Sequence, residues 1–84
     1  MSSKTAIVGS TVGLHARPAA VIAEAAAEYE EPVFLSFAGN SVSAASTLLI
    51  MSLGAEHGAE VTVESDNAEA VERLAGLIGQ NLDD

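Results

Sequence analysis

The sequence predicts an α+β fold: one antiparallel sheet of four short strands with helices over one of its faces. Residues 33–37 set Val33, Leu35 and Phe37 against Phe34 and Ser36, and residues 60–64 alternate apolar and polar side chains, both with the period of a strand. Two alanine-bearing stretches, beginning near residues 18 and 68, carry apolar residues at helical spacing. The elements run strand, helix, strand, strand, helix, strand, helix within 84 residues, a length that supports one core and one domain spanning residues 1–84. Four short strands are joined most economically in a single antiparallel sheet, one face under helices and the other open to water.

Residues 5–8, with Ile7 and Val8 before Gly9, suit a first strand, and residues 9–13 a loop. The first helix begins around Pro18, which a helix tolerates in its first turn, and ends at Glu30-Glu31-Pro32, where proline cannot continue the ladder. Val21, Ile22, Ala25, Ala26 and Tyr29 form its apolar stripe, and Glu24 and Glu28 lie on another face. The strand at 33–37 turns at Ala38-Gly39-Asn40 into a weaker arm over 41–44, a hairpin. Ser46 can cap a short helix over 47–53 that Gly54 ends in the left-handed conformation. After Gly58 comes a strand with Val61 and Val63 inward. Asp66 with Glu69 resembles a capping box for the last helix, whose stripe is Val71, Leu74, Leu77 and Ile78, and Glu69 is spaced to pair with Arg73.

Composition excludes several functions. With 3 Lys+Arg against 12 Asp+Glu the net charge is −9, which repels nucleic-acid phosphates and anionic lipid. The chain has no cysteine, hence no disulfide, thiolate zinc site or cysteine nucleophile, which fits a reducing compartment. No apolar run approaches the ~20 residues that span a bilayer, and the first residues lack the apolar stretch of a signal peptide, so a cytoplasmic protein with no membrane insertion is expected. Two histidines without cysteine or a spaced carboxylate predict no metal site, and His57 reads as a solvated loop residue. Glu30-Glu31 and Asp83-Asp84 read as solvated charge, although a C-terminal carboxylate could approach a site.

The segment that carries chemistry is Gly13-Leu14-His15-Ala16-Arg17-Pro18-Ala19-Ala20. With Pro18 in the first turn, His15 falls at or beside the helix cap, its ring over free backbone N–H groups. Those donors and the helix dipole disfavour imidazolium and so favour a nucleophilic ring nitrogen, and they also stabilise a phosphoryl group once attached. Arg17 adds a planar guanidinium able to hold phosphate oxygens, while its place before proline biases it away from helix. From the residues alone this is an anion site with a possible nucleophile.

These residues resemble the histidine-containing phosphocarrier family HPr of the bacterial phosphoenolpyruvate:sugar phosphotransferase system. Residues 46–54 followed by Gly58-Ala59-Glu60 look like that family's second motif, and the resemblance covers nearly the whole chain. It implies an open-faced β-sandwich, a four-stranded antiparallel sheet with three helices packed on one face (βαββαβα). It also implies a phosphoryl relay rather than a conventional enzyme, without a cofactor. Enzyme I would load Nδ1 of His15 with assistance from Arg17, and IIA domains of sugar permeases would unload it. Ala16, Ala20, Thr47, Leu48 and Met51 match partner-docking positions, although Thr47 is polar where the family carries an aliphatic residue, and helical spacing alone also allows Leu48 or Met51 to be core. Ser46 matches the serine phosphorylated by HPr kinase/phosphorylase in many Gram-positive bacteria, but it reads first as a plain N-cap. A relay that must keep its face free predicts a monomer. The alternative is a regulatory protein-binding module, including a nitrogen-system paralogue, that uses the same surface to control its partners.

Overall fold

The computed structural model describes residues 1–82, in the order β1 (Ser2–Ile7), α1 (Ala16–Ala26), β2 (Val33–Phe37), β3 (Asn40–Ser43), α2 (Thr47–Ser52), β4 (Glu60–Ser65) and α3 (Ala68–Gly79). Asp83 and Asp84, expected as solvated charge within reach of a site, lie outside the described residues. The sheet order is β1-β4-β2-β3 with every neighbouring pair antiparallel, and the three helices lie over one face, as expected.

The core forms where inward strand positions meet the helical stripes. Leu35, Val61 and Val63 from the sheet pack with Ile22, Ile50, Leu74 and Ile78 from the helices, all fully buried. The opposite face is polar: the Thr5 and Thr62 hydroxyls are 3.0 Å apart, and the Ser36 hydroxyl donates to Glu64 Oε1 at 3.5 Å. That is the one-sided burial of an antiparallel sheet with a solvated face.

Several boundaries differ from expectation. β1 runs from Ser2, not Thr5, and stops at Ile7, because its extent follows pairing with β4 from Ser2↔Ser65 to Ile7↔Glu60. α1 ends at Ala26 with Ala27 as cap, short of Glu30-Glu31. There the amides of Glu28 and Tyr29 donate to Ala25 and Ala26 oxygens, three residues back, which tightens the chain out of the α ladder. The hairpin turn is the pair Ala38-Gly39, with φ of 51° and 85°, so Asn40 already belongs to β3 opposite Phe37. Asn67, not Asp66, caps α3: its Oδ1 accepts from the Ala70 amide, and its own amide donates to the buried Ser65 hydroxyl. Asp66 instead lies 3.8 Å from the Met1 ammonium.

Arg73 does not pair with Glu69. It reaches across to α1's end, donating to both Glu28 carboxylate oxygens at 2.9 and 3.1 Å and to the Tyr29 hydroxyl at 3.4 Å, with its guanidinium 5.8 Å from that ring. These hydrogen bonds and the paired charge hold the Glu28 carboxyl below its ordinary range and the guanidinium above its own. The hydrogen bond from the Asn67 side-chain amide, with Glu31's own backbone amide, likewise lowers Glu31.

Candidate functional site

The loop between β1 and α1 is pinned on two sides, and that pinning places His15. The Val8 amide donates to Ala59 O at 2.9 Å, the Gly58 amide to Val8 O at 2.9 Å, and the Gly9 amide to Ile78 O at 3.0 Å. The buried Ser10 hydroxyl donates to Gln80 O at 3.4 Å and accepts from the Leu82 amide at 3.2 Å, tying the loop to the chain beyond α3. Gly13 then presses against the 55–56 backbone at φ +77°. A Cβ there would stand 2.7 Å from Ala55 O and 2.8 Å from Glu56 Cα, so this contact requires glycine on both steric and torsional grounds. The Leu14 amide closes the contact by donating to Ala55 O at 2.9 Å, and its side chain is buried.

His15 follows as the N-cap of α1, with extended backbone (φ −80°, ψ −169°), an exposed side chain and no capping hydrogen bond from its ring. Its carbonyl accepts from the Ala19 amide at 2.9 Å. Pro18 has no amide, which leaves the N–H groups of Ala16 and Arg17 without a protein acceptor among the described residues. No acidic residue lies in this first turn, so the positive end of the helix dipole is uncompensated there. Arg17 is helical despite preceding Pro18, is exposed, and has no ion-pair partner among the described residues. Lys4 and Arg73 are engaged with Glu72 at 2.8 Å and Glu28 at 2.9 Å. Of the three Lys and Arg side chains, the uncommitted one therefore belongs to the first turn that also carries the free amides, although it lines neither hollow at His15, and this composition of the helix start suits a tetrahedral anion.

Two shallow hollows meet at His15. One, of about 170 Å³, is lined by Leu14, Met51, Gly54, Ala55 and Glu56. The other, of about 420 Å³, is lined by Thr11, Val12, Glu56 and His57. Met51, 39% exposed, is thus brought to the histidine, while Leu48 projects from α2 at 78% exposure. Neither is core. Ala16 is exposed and Ala20 half-buried on α1, and Thr47 is half-buried at the start of α2; none of the three lines a hollow. Exposed Val12 and Leu49 enlarge the apolar surface beyond the expected positions. Ser46 caps α2, accepting from the Leu49 amide at 3.2 Å, at the end opposite Gly54. His57 is exposed as expected but shares a hollow with His15, as does Glu56, which the sequence reading missed. The available signal was the spacing of Gly54 and Gly58, which folds the intervening residues back toward Gly13. No group of three or more His, Asp or Glu side chains suited to a metal occurs among the described residues. No helix among them is long and apolar enough to cross a membrane.

Fold and site together define a class: small open-faced sandwiches that present an uncapped histidine, at an anion-favouring helix start, on an open surface. The chain belongs to the HPr family of the phosphotransferase system, since residues 2–80 match the family model described as the PTS HPr component phosphorylation site. It is 42% identical to the phosphocarrier protein HPr of Streptomyces coelicolor, over all of this chain and 95% of that one. The crystal structure of HPr from Thermoanaerobacter tengcongensis superimposes with a TM-score of 0.90 at 30% identity, covering 100% of this chain and 98% of that one. The Bacillus subtilis catabolite repression protein Crh, described as a dimer with a swapping domain, gives 0.73 at 36% identity over 93% of each chain.

Proposed function

We propose that this chain carries a phosphoryl group on Nδ1 of His15, received from phospho-enzyme I and passed to IIA domains of sugar permeases. The ring nitrogen's lone pair forms the N–P bond as the bond from phosphorus to the donor breaks, and that electron pair stays with the donor. Discharge onto an acceptor is the same exchange in reverse. Charge gathers on the three phosphoryl oxygens during transfer. The Ala16 and Arg17 amides and the Arg17 guanidinium are the groups available to receive it. Hydrogen bonds to charged groups contribute about 1.5–3 kcal/mol each, and a helix start about 0.3–1 kcal/mol.

The observation that carries the reading is the uncapped, exposed His15 beside two acceptorless amides and an unpaired arginine. A relay needs that openness, because donor and acceptor must each reach the ring in turn. Leu48 and Met51, with Ala16, Ala20 and Thr47, supply a low-charge surrounding against which partners exclude water. Ser46 is a candidate for regulatory phosphorylation by an HPr kinase/phosphorylase: a phosphate at the start of α2 suits the helix but adds about two negative charges close to the docking surface.

Incubation with enzyme I and phosphoenolpyruvate is expected to add one acid-labile phosphoryl mass, which His15→Ala abolishes. A mass gain retained in that variant removes the assignment.

A further inference from the structure

The geometry points to Glu56 as a specificity-determining residue of the phosphoryl site, one that keeps the bound group easy to give away. This inference rests on the phosphocarrier reading of His15. Glu56 lies on the wall common to both hollows that open at His15. Its backbone is fixed there: the Gly13 approach leaves no room for a Cβ between them, the Leu14 amide holds Ala55 O at 2.9 Å, and the Glu56 carbonyl accepts from the Ala59 amide at 2.9 Å. Its side chain is exposed and has no hydrogen-bonding or ion-pairing partner among the described residues, so its charge is not cancelled locally. His57 also lines the larger hollow, and Arg17 lies two residues beyond His15 on the first turn of α1.

Phosphoryl transfer to His15 brings roughly two negative charges to this spot. On one side they meet the guanidinium and the free amides, which stabilise them. On the other they meet the negative charge of Glu56, tethered by its fixed backbone at the rim of both hollows, which does not. The transfer is an exchange in which the N–P bond forms as the bond from phosphorus to the donor breaks, so the carboxylate opposes loading and favours unloading by the same factor. Across a few layers of water that repulsion corresponds to about three- to tenfold in the equilibrium constant. It is screened by salt, unlike a packing effect.

The test is the equilibrium between phosphoenolpyruvate plus chain and pyruvate plus phosphorylated chain, set up with catalytic enzyme I and read by mass spectrometry. Glu56→Gln is expected to raise the equilibrium constant three- to tenfold over the unsubstituted chain. Glu56→Asp, which keeps the carboxylate, should stay within about twofold, and the Gln effect should shrink in 1 M salt. The urea midpoint of Glu56→Gln should be unchanged, which excludes a merely structural cause. An unsubstituted chain that loads normally while Glu56→Gln shows the same constant, or a change indifferent to salt, overturns the role of Glu56 alone. A chain that takes no phosphoryl group overturns the phosphocarrier reading and this inference with it.

Discussion

Replacing Gly13 by alanine adds one methyl group where the chain has no room for it. The backbone there is left-handed, at φ +77°, which costs an L-residue roughly 1–2 kcal/mol. The new carbon would also meet Ala55 O at 2.7 Å and Glu56 Cα at 2.8 Å, both backbone atoms that cannot rotate aside. Overpacking of that kind costs about 1–3 kcal/mol. The two effects together amount to about 2–5 kcal/mol, a large share of a small domain's typical ~5–15 kcal/mol. Urea unfolding followed by circular dichroism should therefore show a lower midpoint at an unchanged m-value, and the melting temperature should fall by roughly 10–30 °C. Separating the 13–15 segment from 55–56 also shifts His15, so phosphoryl loading of the folded fraction should slow by at least about tenfold. A loss below about 0.5 kcal/mol would refute the claim that this contact positions the site.

Ser46→Ala removes the acceptor for the Leu49 amide and should cost about 1 kcal/mol in urea unfolding, whether or not the hydroxyl is ever phosphorylated. Leu48→Ala, at a position 78% exposed, should change stability by less than about 0.5 kcal/mol yet lower kcat/KM for loading by enzyme I at least about tenfold; unchanged kinetics would remove Leu48 from the docking surface. Glu28 is held below its ordinary value near 4.5 by Arg73, so the folded chain binds fewer protons there than the unfolded one. The contribution of this pair is present above that value and lost as pH falls through the folded-state pKa. Urea midpoints should thus separate the native chain from Glu28→Gln at pH 7 and draw together as pH is lowered through the folded-state pKa; a gap independent of pH would contradict the pairing.

Local chemistry made some elements legible and long-range contacts hid the others. The alternation of Val33, Leu35 and Phe37 and the Ser46 cap of α2 are decided within a few residues, and both appear where the pattern places them. The start of β1 was not legible, because Ser2 is a strand residue only through its partner Ser65, 63 positions away. Arg73 had a good local partner in Glu69, but tertiary packing offered two carboxylate oxygens and a tyrosine at α1's end. At α3 the hydroxyl of Ser65 captured the Asn67 amide and moved the cap one residue beyond Asp66. In the site, the placement of His15 follows from Pro18 and the helix start that it marks. Glu56 and His57 reach the same hollow because Gly13 lets two distant backbones touch, and the local sign of it is confined to the spacing of Gly54 and Gly58.

The most direct test of the account asks which side chain holds the phosphoryl group after loading by enzyme I and phosphoenolpyruvate. Fragmentation mass spectrometry under alkaline conditions, with His57→Ala as control, reads this residue by residue. A single phosphoryl group on His15, undiminished in His57→Ala, is expected; a group on His57, or on Ser46 without a kinase present, or none at all, would contradict a relay through His15.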